Sequence, residues 1–324
     1  MKALWQRWVG LWSLRELPTM LALIRIFVGL VLLWDFAEIG LHGIADELWS
    51  PEEYGGLPSR VLQRAKPPEI FGFFDPGPEL AWGLWGFILL MLVLWTLGVA
   101  PAVVGVLLVL AYAQTALILP LGDRGIDLAL RNVMLILVFS RCGDTLSLPA
   151  RLKTGSWLGD GSLAPAWPRH LIIIQLVLIY FLAGVQKTAL TWTPLGGYNA
   201  LYVVLHDPHI ARFDWAGMGW LDGMVWPLRI GTAATKLFEW GAPLFLLAYW
   251  FRLTAERGGR LRSFFLRFDV RLWLVAVGAI LHLGIALTMQ LGIFPWAMLA
   301  LYPAFFHPDE LQALLARIRG RRTE

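Results

Sequence analysis

Long apolar runs, separated by short polar or turn-forming segments, recur along this chain from Met20 to Phe306. A helix needs about 20 mostly apolar residues to cross a bilayer. Six runs come close to that length and predict membrane-spanning helices. They are Met20–Gly40, Glu79–Leu97, Pro101–Leu119, His170–Lys187, Ala233–Phe251 and Arg271–Met289.

Two further apolar runs are weaker candidates for spans. Asp127–Phe139 is short and carries Arg131, and Gly292–Phe306 is interrupted by Pro295 and Pro303. Counting both gives about eight spans. With the N-terminus in the cytoplasm, sixteen Lys and Arg residues then lie on the inner side and six on the outer side. This bias follows the positive-inside rule and favours eight spans with both termini cytoplasmic.

Composition supports a polytopic all-α membrane protein. Hydrophobic residues make up 58% of the chain and charged residues 15%, whereas a soluble domain has about 45–50% and about 25%. The pattern predicts location in the bacterial inner membrane, with the lipid bilayer as a partner. No basic stretch is interleaved with base-stacking aromatics, so nucleic acid is not an expected partner. Cys142, the only cysteine, cannot form an intrachain disulfide.

The two ends of the chain differ from the apolar middle. Residues 1–19 form an amphipathic pattern of Trp, Leu, Lys and Arg, which predicts an interfacial segment before an uncleaved first helix. Residues 20–306 are expected to form one transmembrane domain. Residues 307–324 predict a basic cytoplasmic tail.

Two long segments are expected on the outer side. Leu41–Pro78 and Thr188–Thr232 are rich in aromatic residues, which suit packing at the membrane surface. Within the second, Tyr198–Leu205 is predicted to be a short interfacial helix.

Ionisable side chains within the spans are the first candidates for function, because each must be paired or hydrated there. Asp127 and Arg131 are four residues apart, and Lys236 and Glu239 are three apart. These spacings favour intrahelical ion pairs, with a functional role as the alternative. A further four such residues are Arg25, Asp35, Glu38 and His282. The interpretation of His282 is open between a hydrogen-bonded neutral imidazole and a catalytic group.

Lys187 stands at the end of an apolar run and has no acid three or four residues away. It could extend its ammonium to the headgroups from a helix end. Alternatively, it could act as a base, because Tyr180, Gly184 and Lys187 follow the spacing of a single helix face. A desolvated lysine has a lowered pKa, which makes it usable in proton transfer near neutral pH.

At these residues the chain resembles a known family. The stretch "YFLAGVQKTALTW", Tyr180 to Trp192, is similar to the signature of the HTTM (horizontally transferred transmembrane) domain, the membrane module of vitamin K-dependent γ-carboxylase. A second match, "HLGIALTMQLGIFPWAMLALYPAFF", runs from His282 to Phe306. Weaker matches include "RCGDTLSL" and "KLFEWGAPLFLL", and all occur in the family's order.

The resemblance implies a lysine base at Lys187 that deprotonates a quinone-type cofactor such as vitamin K hydroquinone, on the outer side of the membrane. His282 matches a histidine of the family and is the second candidate catalytic residue, expected to help set the pKa and orientation of that base. With the intramembrane polar groups, this gives an outward-facing ligand cavity. Its expected lining residues are Tyr180, Gly184, Glu239, Trp192, Asp127 and Arg131.

Full glutamate carboxylation is not expected. The segment Arg124–Phe139 lacks the histidine that assists the carboxylase, and no large soluble domain follows Phe306. Bacterial HTTM proteins of this shape include relatives of a protein that matures a secreted peptide toxin, and others accompany thiol–disulfide oxidoreductase-like proteins. The alternative function is therefore a non-enzymatic accessory factor for a secreted peptide or partner protein.

Two other functional classes have less support. A transporter built from inverted repeats would show matched broken helices, and none is evident. His206 and His209 flank Asp207 and Pro208 in a pattern that favours a solvated turn over a metal site, so no metal is expected.

Overall fold

The computed structural model describes residues 5, 9–10, 12–57 and 68–320. Parts of the predicted interfacial segment and basic tail, including Lys2, Arg7, Arg321 and Arg322, lie outside those residues. The described chain is predominantly helical and divides into two compact units. The first contains the chain up to His170 together with Phe306 onward, and the second is Leu171–Phe305.

Among the described residues, five helices are long and apolar enough to cross a bilayer, so the chain is an all-α multi-pass membrane protein. They are α1 (Thr19–His42), α3 (Pro78–Thr96), α4 (Pro101–Ile118), α7 (Trp167–Gln186) and α13 (Val270–Thr288). Each coincides, within a few residues, with a predicted span. Large apolar side chains such as Phe27, Leu30 and Trp34 are exposed, which suits a lipid-facing surface.

The remaining helices are shorter. In the first unit they are α2 (Ala45–Trp49), α5 (Gly125–Val138), α6 (Leu148–Thr154) and α15 (Pro308–Gly320). In the second unit they are α8 (Ala200–Leu205), α9 (Trp220–Gly223), α10 (Val225–Trp240), α11 (Pro243–Leu253), α12 (Arg260–Arg267) and α14 (Phe294–Ala300). The short helix predicted around Tyr198–Leu205 is confirmed as α8, and its place in the membrane interface stays a prediction.

The predicted continuous helix Ala233–Phe251 is wrong. The chain forms two helices, because α10 ends at Trp240 and α11 begins at Pro243. Proline lacks a backbone N–H and its ring clashes with the carbonyl four residues earlier, so it suits the first turn of a new helix.

One β-ladder was not predicted. The two-residue strands β1 (Arg15–Glu16) and β2 (Ala164–Pro165) pair antiparallel in the first unit. Glu16 also accepts two hydrogen bonds of 2.6 Å from Arg169, so a buried ion pair fixes β1 beside the start of α7.

The core of the first unit is built on one face of α1. Leu21, Ile24, Val28 and Leu32 follow helical spacing and are fully buried. Arg25 is also fully buried, and it donates to the carbonyl oxygens of Cys142 at 2.7 Å and Leu146 at 2.6 Å. The intramembrane arginine of the sequence therefore has carbonyl partners.

Cys142 is buried beside Arg25. Burial raises the pKa of the Cys142 thiol, because a thiolate loses its hydration there. The thiol is therefore in a form with little nucleophilic character.

Candidate functional site

Tyr180, Gly184 and Lys187, which were predicted to share one helix face, all belong to the second unit. At Gly184, α7 lies against α10 so closely that an added Cβ would be 2.7 Å from Trp240 Cδ1 and 2.8 Å from Glu239 Cβ. Only glycine permits this approach without a shift. The absent side chain lets Glu239 reach the end of α7, where Lys187 follows Gln186.

Lys187 forms an ion pair rather than extending alone to the headgroups. Its Nζ donates to Glu239 Oε1 at 2.6 Å, and the side chains are 22% and 11% exposed. The same Nζ lies 5.1 Å from the ring centroid of Trp192, within range of a cation–π interaction. Lys187 is therefore held between a carboxylate and an indole, with part of its surface accessible.

The predicted pair of Lys236 with Glu239 is wrong. Lys236 Nζ donates to the backbone oxygen of Lys187 at 3.0 Å and lies 4.9 Å from the ring centroid of Trp240. Carbonyls just beyond a helix C-terminus lack an intrahelical donor, so this amine satisfies one of them. Glu239 is consequently free to pair with the ammonium from the other helix.

Glu239 keeps one acceptor unused. Its Oε2 is buried and has no hydrogen-bond partner among the described residues. A buried carboxylate oxygen without a donor is costly, by about 1–3 kcal/mol or more for a charged group. This oxygen is therefore the acceptor at the site that an additional donor would satisfy.

A second polar group lies deeper on the same helix face. Tyr180 Oη is 2.7 Å from His282 Nε2 and 2.9 Å from Tyr302 Oη. All three side chains are buried. The structure shows a hydrogen bond at His282 Nε2, while Nδ1 has no partner among the described residues. A catalytic role for His282 stays a prediction.

Tyr302 was not singled out in the sequence. It follows α14 in a 3₁₀ turn, and an added Cβ on Gly278 of α13 would lie 2.1 Å from its Oη. The signal that could have found it is a phenol within an otherwise apolar stretch, because a buried tyrosine hydroxyl normally needs a partner. The close approach of Tyr302 Oη to Gly278 depends on tertiary packing.

The polar groups around Tyr180 and around Lys187 lie at different positions along α7, the second just beyond its C-terminal end. Tyr180 and Lys187 are seven residues apart, or about 10 Å along a helix axis. His282 bonds to Tyr180, while Glu239 bonds to Lys187. The expectation that one ligand cavity joins all four side chains stays a prediction.

Asp127 and Arg131 belong to the first unit, and the predicted pair between them is wrong. Asp127 is the third residue of α5 and accepts from the Arg124 backbone N–H and guanidinium, each at 2.8 Å, and from Tyr112 Oη at 2.6 Å. Arg131 instead makes two bonds to Asp123, of 2.8 and 2.7 Å. The cause is the turn before α5, which presents a closer partner to each charge.

Arg124 connects α5 to α1. Its guanidinium donates to both oxygens of Asp35, at 3.1 and 2.6 Å, as well as to Asp127. Burial lowers the pKa of Arg124, but the hydrogen bonds to Asp127 and Asp35 outweigh this and raise it above its ordinary value. Arg124 was not singled out in the sequence, because it lies outside the predicted spans.

The described residues contain no group of three or more His, Cys, Asp or Glu side chains placed to hold a metal ion. In the pattern around His206, the imidazole Nδ1 lies 2.8 Å from the backbone oxygen of Tyr202, and His206 and His209 are exposed.

Comparison of the chain with protein-family models, curated proteins and solved structures finds no match.

Proposed function

We propose that this chain is an HTTM-like protein of the bacterial inner membrane that binds an amphipathic weak acid, such as a quinol, on the outer side. The single observation that carries the proposal is the partly exposed Lys187–Glu239 pair beside Trp192. An ammonium, a carboxylate with an unused oxygen and an aromatic face suit a ligand with an acidic hydroxyl on an apolar ring.

The geometry favours a proton transfer in which Lys187 and Glu239 have different roles. Lys187 donates to Glu239 in the ion pair, and a lysine ammonium has no lone pair with which to accept a proton. Glu239 is the acceptor: the ligand O–H bond breaks, the proton moves to the carboxylate, and the ligand oxygen keeps the electron pair. Oε1, which accepts one hydrogen bond from Lys187, keeps a second lone pair that can accept this proton. Lys187 then stabilises the resulting oxyanion.

The ligand proposal is tested by purifying the protein with its native lipids and identifying the small molecules extracted from it by mass spectrometry. Reduced menadione, kept anaerobic, serves as an added hydroquinone whose anion is detected by its ultraviolet absorbance. We expect bound quinone and anion formation in the wild type, and a loss of at least tenfold in both in Lys187→Met and Glu239→Gln. Lys153→Met, exposed on α6, is the control. Equal retention in all variants contradicts the proposal.

The proposed eight spans and cytoplasmic termini are tested by cysteine labelling. Cys142 is buried, so the wild type is a low background for a membrane-impermeant maleimide. Leu152 and Leu195 are 77% and 91% exposed. In the eight-span arrangement Leu152 follows the fourth span on the inner side, and Leu195 lies in the outer segment Thr188–Thr232. Leu195→Cys is expected to react in intact cells, which expose the outer side. Leu152→Cys is expected to react in inside-out vesicles, which expose the inner side. Labelling of both from one side excludes this arrangement.

An accessory role is the second candidate, and one surface favours it. The segment from Phe213 to Trp226 exposes five large apolar side chains. They are Phe213, Met218, Trp220, Met224 and Trp226. Such a patch suits contact with a secreted peptide or a thiol–disulfide oxidoreductase-like protein as well as lipid. Crosslinking from Trp220 to one defined polypeptide, together with no quinone in the ligand assay, would favour this function over proton transfer.

A further inference from the structure

The first unit contains a cavity of about 310 Å³ at the C-terminal end of α1. It lies between α1, α2, α4 and the turn that begins α5. Binding pockets for small molecules range over about 300–1,000 Å³, so this volume suits a small ligand. All its lining residues belong to the first unit, whereas Lys187 belongs to the second.

One wall of the cavity is aromatic and fixed. Phe36, Trp49 and Tyr112 all line it and are buried. The Phe36 ring centroid lies 6.0 Å from that of Trp49 and 5.4 Å from that of Tyr112. Aromatic faces carry negative charge density that attracts cations. The Arg131 guanidinium already lies 5.1 Å from the Tyr112 ring centroid, so Phe36 and Trp49 are the rings left for a ligand cation.

Among the residues that line the cavity, the carboxylates outnumber the guanidinium groups. Asp35 and Asp127 share the single guanidinium of Arg124, so one of these two carboxylates has no further cationic partner among the described residues. Asp123 is balanced by Arg131, which itself does not line the cavity. Glu38 is exposed on the cavity lining and has no ion-pair partner in the part of the chain that the structure describes.

The arrangement discriminates against anions. Four of the five N–H groups of Arg124 already donate to Asp35 and Asp127, so little donor capacity is left for an anionic ligand. Each carboxylate, by contrast, has about four acceptor positions, and those of Asp35 are only partly used. A cation therefore meets both unused lone pairs and aromatic faces.

We propose that this cavity binds a small organic cation, with an ammonium group of about the size of choline. The ammonium lies between Glu38 and the carboxylates held by Arg124, and the alkyl groups lie against Phe36 and Trp49. The binding is non-covalent and involves no chemical step.

The test compares choline with its uncharged isostere 3,3-dimethyl-1-butanol by isothermal titration calorimetry on the purified full chain. Choline is expected to bind at least tenfold more tightly, because only it carries the charge. Its affinity is expected to fall with rising salt, since part of the site is open to solvent. Equal affinity for the two compounds, or no binding of either, overturns the proposal.

Single-residue variants test whether choline binds in this cavity. Glu38→Gln is expected to weaken choline binding about tenfold, which corresponds to about 1.4 kcal/mol. Glu79→Gln, exposed at the start of α3 and outside the cavity, is the matched charge control. Ala116→Phe fills the cavity and is expected to abolish binding, whereas Leu117→Phe, one residue along and exposed, leaves it intact.

Unchanged choline affinity in both Glu38→Gln and Ala116→Phe overturns the proposal, because binding is then elsewhere. Thermal unfolding of each variant shows whether it is folded. If Ala116→Phe fails to fold, Glu38→Gln decides, since Glu38 is exposed and its removal disturbs no described ion pair.

Discussion

Lys187 Nζ lies 2.6 Å from Glu239 Oε1, although 52 residues separate the two in sequence. Gly184 makes this contact possible by letting α7 and α10 meet without a side chain between them. The ion pair turns an isolated intramembrane lysine into one half of a neutral unit, which greatly reduces the cost of placing it at a helix end.

Removing either partner of this pair should destabilise the protein more than removing both. Lys187→Met leaves the Glu239 carboxylate without its cation, and we expect a loss of about 1–3 kcal/mol in the free energy of unfolding. The double variant Lys187→Met/Glu239→Gln should recover part of it. Thermal unfolding in detergent measures the difference, with Lys153→Met as the surface control. Additive losses would show that the two groups do not interact.

Adding a side chain at position 184 should separate the two helices. Gly184→Ala places its Cβ 2.7 Å from Trp240 Cδ1, and we expect a loss of about 1–3 kcal/mol. Gly83→Ala on α3 is the matched control, because nothing lies within 4 Å of an added Cβ there. It should be neutral or stabilising, since alanine is the better helix former. A stable Gly184→Ala variant contradicts the close helix contact.

The hydroxyl of Tyr180 should matter more than that of Tyr302. Tyr180→Phe removes the group that bonds to both His282 and Tyr302, so two buried polar atoms lose a partner. We expect about 1–3 kcal/mol of destabilisation, and a smaller loss in Tyr302→Phe, which breaks one bond. Tyr54→Phe, at an exposed site, is the control. Equal stabilities of the three variants argue against the hydrogen-bonded group.

A pair of double-mutant cycles should distinguish the observed ion pair of Arg131 from the one its sequence spacing suggests. The cycle for Asp123→Asn and Arg131→Met should give a coupling energy of about 0.5–3 kcal/mol, because these side chains make two hydrogen bonds. The cycle for Asp127→Asn and Arg131→Met should give a smaller value. Chemical or thermal unfolding supplies both energies, and the reverse order would refute the assigned pairs.

Five of the six strong predicted spans are helices in the structure, because a long apolar run has few alternatives in a bilayer. Charge pairing was less predictable. Sequence spacing suggested Asp127 with Arg131 and Lys236 with Glu239, yet all four side chains have other partners. Helical spacing makes a contact possible, but competing donors from other helices and turns decide which contact forms.

The sequence by itself determined the class of this protein, since the ability to span a bilayer depends on hydropathy and the length of apolar runs, which are local properties. It also placed Tyr180 and Gly184 on one helix face, because helix periodicity is local too, whereas Lys187 follows the helix end at Gln186. Only the tertiary structure decided that Glu239 neutralises Lys187, that Tyr302 completes the group around Tyr180, and that Arg124 holds Asp35 beside a cavity. Those contacts depend on how closely different helices approach, a property that no single segment carries.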